Sequence, residues 1–180
     1  MKSNTKTWLL LLVLLPLISG VYGIIHDQIT YTISSDYFTH FKFIQFNIAE
    51  GLQEYERLAA ALVGFLSTWW VGILLALPLG IIGYKKLDVE LYKKSRIKSI
   101  KTIFLVAIVF GVIGYIAGLI FVSNMSDWPM NIGGRGIALS EINDWDHFLI
   151  VGTIHNFSYV GALIGLIIAL VQQFRLAKSN

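Results

Sequence analysis

The sequence predicts an all-α membrane protein: a four-transmembrane-helix bundle with an aromatic-rich cap segment on its outer face. Three observations carry this. Hydrophobic residues make up 56% of the 180-residue chain, and its mean hydropathy is +0.68. Four long apolar runs fall at about Thr7–Ile25, Leu58–Tyr84, Ile103–Val122 and Phe148–Val171. The charges then sort by side when these runs are threaded through a bilayer. About 20 helical residues cross a hydrocarbon core of about 30 Å, so each run can span. Within lipid the backbone must satisfy its own hydrogen bonds, which selects helices. A barrel would need short alternating segments, and these runs do not alternate. Residues 1–180 read as a single integral membrane domain.

With Met1 in the cytoplasm, the inner side holds Lys2, Lys6, Lys85, Lys86, Lys93, Lys94, Arg96, Lys98, Lys101, Arg175 and Lys178, against Asp88 and Glu90. The outer side holds Lys42, Arg57 and Arg135 against nine acids. The positive-inside rule then puts both termini and the Lys85–Lys101 loop in the cytoplasm, in the plasma (inner) membrane of a bacterium. The net charge of +3 therefore conceals a basic inner face and an acidic outer face. The partner implied for the basic face is an anionic lipid leaflet, at roughly 1 kcal/mol per cation, and not nucleic acid. A membrane-protein partner or a homo-oligomer is compatible with the apolar faces. The chain has no cysteine, which excludes disulfides, thiol redox chemistry and cysteine nucleophiles or ligands.

The elements follow in order. The first run, with Lys2 and Lys6 before it and Ser19–Gly23 after its core, also fits a signal peptide. Its continuation through Ile24 and Ile25 suits a retained span better. The outer segment His26–Arg57 opens with Gln28-Ile29-Thr30-Tyr31-Thr32-Ile33, whose β-branched alternation predicts a short strand or extended piece. Ser34-Ser35-Asp36 is a helix start. Tyr37, Phe38, Phe41, Phe43 and Phe46 then crowd together, which predicts a segment lying over the helix ends and not a solvated loop. Ala49–Arg57 favours helix and leads into the second span. Trp69 and Trp70 read as packing residues, and Pro78 as a kink. Lys85–Lys101 reads as a short basic inner loop that signals topology, with a lipid-regulated or partner-binding loop as the alternative. Between the third and fourth spans, Trp128-Pro129 and Asp144-Trp145 read as interfacial anchors. Gly133-Gly134-Arg135-Gly136 is a turn, with the alternative of an anion cradle.

Two sets of residues are candidates for a role. In the fourth span Gly152, His155, Asn156 and Tyr159 are spaced i, i+3, i+4, i+7 and share one face. Polar groups at that depth are expensive and point into the interior or a wet cavity. The expected partner of His155 is His26 or Asp27, so the intramembrane polar site is His155, Asn156, Tyr159 and Asp27. A hydrogen-bond cluster that merely joins helices is the competing account. His26, His147 and His155, flanked by acids, are the candidate metal ligands, although no HxxxH, HExxH or ExxH spacing supports them. The cofactor is unknown and none is favoured. Gly111, Gly114 and Gly118 in the third span, with Gly161 and Gly165 in the fourth, predict close helix packing. No nucleophile elbow or phosphate loop occurs.

The wording His26-Asp27-Gln28-Ile29-Thr30-Tyr31-Thr32-Ile33-Ser34, then Tyr37-Phe38-Thr39 and Phe41-Lys42-Phe43, then His155-Asn156-Phe157-Ser158-Tyr159, resembles an uncharacterised family of small bacterial multi-pass membrane proteins. The resemblance implies a bacterial multi-pass protein and carries no activity or site. The functional expectation is a non-enzymatic membrane role: a small transporter or channel-like protein, or a subunit of a larger complex. The alternatives are a redox, metal or haem protein using the outer histidines, and a membrane enzyme acting at the outer surface.

Overall fold

The computed structural model describes residues 2–122 and 142–179. The expectations for Trp128-Pro129 and for Gly133–Gly136 lie outside the described residues. The described chain is helical throughout, with no strand. In order come α1 (Lys2–Ile33), a π-helical turn (Phe38–Lys42), α2 (Phe43–Gln45), α3 (Glu50–Gln53), α4 (Glu56–Ile81), α5 (Val89–Val122) and α6 (Trp145–Ser179). Four helices, α1, α4, α5 and α6, are long and apolar enough to cross a membrane. With 32 residues α1 is about 48 Å long, more than a hydrocarbon core needs. α1, α5 and α6 thus carry polar turns beyond the apolar runs that announced them, whereas α4 is no longer than its run.

The helices pack as two antiparallel pairs, α1 with α4 and α5 with α6, and contacts between the pairs are sparse. Small residues make each pair close. A methyl group added at Gly114 of α5 would stand 3.0 Å from the Thr153 carbonyl oxygen and 3.1 Å from Ile154 Cα. At Gly165 of α6 it would meet Ile103 Cα at 2.8 Å, and at Gly161 the Val106 carbonyl oxygen at 2.9 Å. Gly118 faces Ile150 and Gly111 faces Ser158 in the same seam. The α1–α4 pair has its own seam: Gly23 and Gly64 abut backbone to backbone, and Gly72 lies against Leu15 and Pro16. Close approach is what drives helix association where no hydrophobic force acts between apolar surfaces.

Two apolar clusters lie at different heights. One joins Leu11, Leu15, Leu75, Ala76, Leu79, Ile103 and Ala169, drawn from all four long helices. The other lies at the end of the molecule where α1 finishes, here called the histidine end. It joins Tyr37, Phe38 and Phe43 to Ala59, Ala60, Val63, Phe148 and Val151. Phe38 is fully buried.

Three sequence expectations are overturned. Gln28–Ile33 is the last turn and a half of α1, not a strand. No neighbouring strand exists among the described residues to pair with it, so its β-branched residues are accommodated in helix. Thr30 Oγ1 donates to the His26 carbonyl at 3.1 Å and Thr32 Oγ1 to the Gln28 carbonyl at 3.0 Å. Trp69 and Trp70 are 39% and 47% exposed, so they face outward and not into the packing. The Lys85–Lys101 stretch is mostly helix, because α5 begins at Val89. One of its cations, Arg96, is buried. Its guanidinium donates to Gln173 Oε1 at 2.6 Å and to the Ile82 carbonyl at 2.9 Å, and it lies over the Tyr92 ring at 4.2 Å. Gln173 in turn donates to Ser99 Oγ at 2.7 Å.

Candidate functional site

The buried stripe of α6 runs Val151, Ile154, His155, Ser158, Gly161, Gly165 and Ala169. This is the ordinary period of a helix with one inward face, and it carries His155 to the junction between the two helix pairs. The side chain of His155 is 6% exposed and that of Asp27, from α1, is 3% exposed. His155 Nε2 lies 3.2 Å from Asp27 Oδ1, and its Nδ1 lies 2.9 Å from the Val151 carbonyl oxygen. A carbonyl oxygen only accepts, so Nδ1 carries the hydrogen and its donation orients the ring. Nε2 is thereby turned to Asp27 and the space beside it.

That space is a chamber of about 50 Å³. Ser19, Tyr22, His26 and Asp27 of α1, Ser67 and Thr68 of α4, and His155, Ser158 and Tyr159 of α6 bring its polar groups; Ile103, Phe104 and Ala107 of α5 are its apolar wall. At roughly 15 Å³ for each water centre, it has room for about three waters. Asp27 Oδ2 and Ser19 Oγ are buried and have no hydrogen-bond partner. A buried polar atom without a partner costs about 1–3 kcal/mol, and more when charged. The Tyr159 hydroxyl approaches Ser67 across the chamber.

Aromatic rings enclose the pair. Tyr37 stacks on His155 with centroids 5.1 Å apart, and Phe38 is 6.3 Å away. His26 meets His155 edge to face at 4.8 Å. Beside this roof Lys42 is buried, its Nζ donating to Gln45 Oε1 at 3.0 Å, with its ammonium over the rings of Tyr37, Phe41 and Phe46. Burial pushes the Lys42 ammonium below the usual lysine range, and the Asp27 carboxylate opposes that shift. Burial raises the Tyr37 hydroxyl well above the ordinary phenol range.

The residues singled out from sequence separate here. His155, His26 and Asp27 come together, and their ligand atoms all lie within 4.8 Å of one another. His147 does not join them: it is half exposed, and its Nδ1 pairs with Asp144 Oδ2 at 2.7 Å. It belongs to the N-terminal turn of α6, where Asp144 Oδ1 also accepts from the His147 backbone N–H at 3.1 Å. Asn156 is exposed, contrary to the expectation that it points inward. Tyr159 is 42% exposed yet lines the chamber, as expected. The most buried face is rotated by about one residue, 100° of helix, from the one chosen: Ser158 shares the interior with His155, where Asn156 was expected. Gly152 lies beside the Tyr37 ring. The sequence reading missed Ser19, Tyr22, Ser67 and Thr68. Their signal was available, since a hydroxyl within an apolar run prompts a search for polar partners.

No protein-family model, no curated protein and no solved structure matches this chain.

Proposed function

We propose that the protein is a small non-enzymatic transporter of a cationic solute in a bacterial plasma membrane, with the Asp27–His155 chamber as its binding site. In this reading the four long helices form a bundle whose histidine end faces outward. Tyr37, Phe38 and Phe43 cap that end, and the Lys85–Lys101 stretch and both termini are cytoplasmic, in keeping with the charge split. One observation carries the reading: a polar chamber with orphaned oxygens, Asp27 Oδ2, Ser19 Oγ and Ser158 Oγ, lies where the two helix pairs meet. A helix-joining cluster would be closed and satisfied, and a subunit with a structural role would have no reason to keep an unsatisfied carboxylate. The carboxylate also sets the sign of the solute, because an anion beside Asp27 would add like charge to a site already unsatisfied.

Thiol access tests this on a cysteine-free background. Ser67→Cys lines the chamber. A transporter exposes its site to each side in turn, so a small impermeant thiol reagent should modify this cysteine from either face of sealed vesicles. Leu105→Cys, on an exposed apolar face, is the unreactive control. Modification of Ser67→Cys from neither face, or from one face only, would overturn transport.

A further inference from the structure

Resting on that reading of the chamber, we propose that its cationic solute is a divalent first-row transition-metal ion, bound by a ring nitrogen of His26, a carboxylate oxygen of Asp27 and Nε2 of His155. Three independent features converge on this. The ligand atoms come from two helices and already lie within 4.8 Å of one another. The ligands of a tetrahedral ion with bonds of about 2.0–2.1 Å stand roughly 3.4 Å apart, so the widest pair closes by little more than about 1 Å. His26 is partly exposed, and its ring sits between those of Tyr22 and His155, beside the position the ion would take.

The second feature is orientation. The Nδ1–H of His155 donates to the Val151 carbonyl, the outer hydrogen bond that ligating histidines commonly make and that leaves Nε2 to the metal. The third is charge. Asp27 Oδ2 is buried without a partner, and the cation that acts on it, Lys42, is committed to Gln45 at 3.0 Å. A bound dication supplies the missing counter-charge. Two imidazoles and one carboxylate select the class: such sets suit zinc, iron, cobalt, nickel or manganese, whereas calcium and magnesium prefer all-oxygen shells. The chamber of about 50 Å³ leaves a fourth position for water, as an exchangeable site requires.

Cobalt(II) is the probe, because a site of low coordination number gives it strong visible ligand-field absorption. The full chain, purified in detergent and stripped of metal with a chelator, should bind one Co²⁺ with those bands, and Zn²⁺ should bleach them. His26→Gln and Asp27→Asn should each weaken binding at least tenfold, while His147→Gln should leave it unchanged. Helicity and melting temperature verify that each variant is folded. His26→Gln is the more tolerant test, since that residue is less buried than Asp27. Absence of the bands in folded wild type would overturn the proposal. So would bands that survive both His26→Gln and Asp27→Asn, or that vanish in His147→Gln. The outcomes separate the two readings. Co²⁺ binding without two-sided access to Ser67→Cys removes transport and keeps the metal. Two-sided access without Co²⁺ binding does the reverse.

Discussion

Arg96 and Asp27 are both charged, both buried and both enclosed by four apolar helices, yet they are treated in opposite ways. Arg96 has neutral acceptors on three sides: the Gln173 amide oxygen, the Ile82 carbonyl and the face of Tyr92. Gln173 is itself completed by Ser99. Asp27 has one oxygen beside His155 Nε2 at 3.2 Å, one oxygen with no partner, and a chamber next to it. The difference separates a polar group that holds helices together from one kept for an occupant. Burial and charge do not distinguish the two; completeness of the hydrogen bonding does.

The largest expected effect breaks the Arg96 side. Arg96→Leu strands Gln173 Oε1 and the Ile82 carbonyl, at about 1–3 kcal/mol each, for a loss of about 4 kcal/mol. Thermal unfolding in detergent should show it as the steepest fall of any single variant described here. A melting temperature near wild type would mean that this network is not structural.

The roof comes next. Phe38→Ala removes a fully buried ring at a cost of about 3 kcal/mol. It should also speed modification of Ser67→Cys from the histidine end, because the aromatic cluster separates the chamber from that surface. Unchanged labelling kinetics in the folded double variant would show that the ring seals nothing.

Asp27→Asn sharpens the contrast from the other side. A buried carboxylate with an unpartnered oxygen carries a desolvation cost that the neutral amide of the same shape lowers. Stability should therefore stay within about 1 kcal/mol of wild type. If Asp27→Asn melted as early as Arg96→Leu, the distinction between the two groups would collapse.

The smallest effect concerns the surface. Asp144 lies below the usual carboxylate range, chiefly because the His147 backbone N–H donates to it. A depressed native value means that its stabilisation is present above the ordinary carboxylate range and fades as pH falls through the native value. Being more than half exposed, it contributes less than about 1 kcal/mol. Asp144→Asn should remove only that shallow acid dependence from the melting curve.

Much of the fold was legible because lipid leaves a segment few choices. Apolar length and the demand for internal hydrogen bonds gave four long helices before any contact was known. What misled was local propensity. Gln28–Ile33 alternates like a strand, but α1 continues through it, and its threonines bond back to the helix that contains them. The candidate site was legible in its residues and not in its outline. His155 and Asp27 stand out as ionisable groups in or beside apolar runs. Which face of α6 points inward depends on the roll of the helix about its axis, and about one residue of roll brings Ser158 in and turns Asn156 out. The role of Arg96 was hidden for a different reason: among seven cations in 17 residues, the buried one carries no mark of its own. Its marker was Gln173, a neutral partner 77 positions later.

The pairing of the helices has a mechanical consequence. Within each pair, backbone meets backbone across glycine, at distances that leave no slack. Between the pairs such keyed contacts are few. Each pair therefore behaves as one stiff plank, and the softest deformation of the molecule is a scissoring of one plank against the other. Asp27 belongs to the first plank and His155 to the second. Any scissoring changes the gap between them directly, so the same movement that opens a path to the chamber also alters its grip on what it holds.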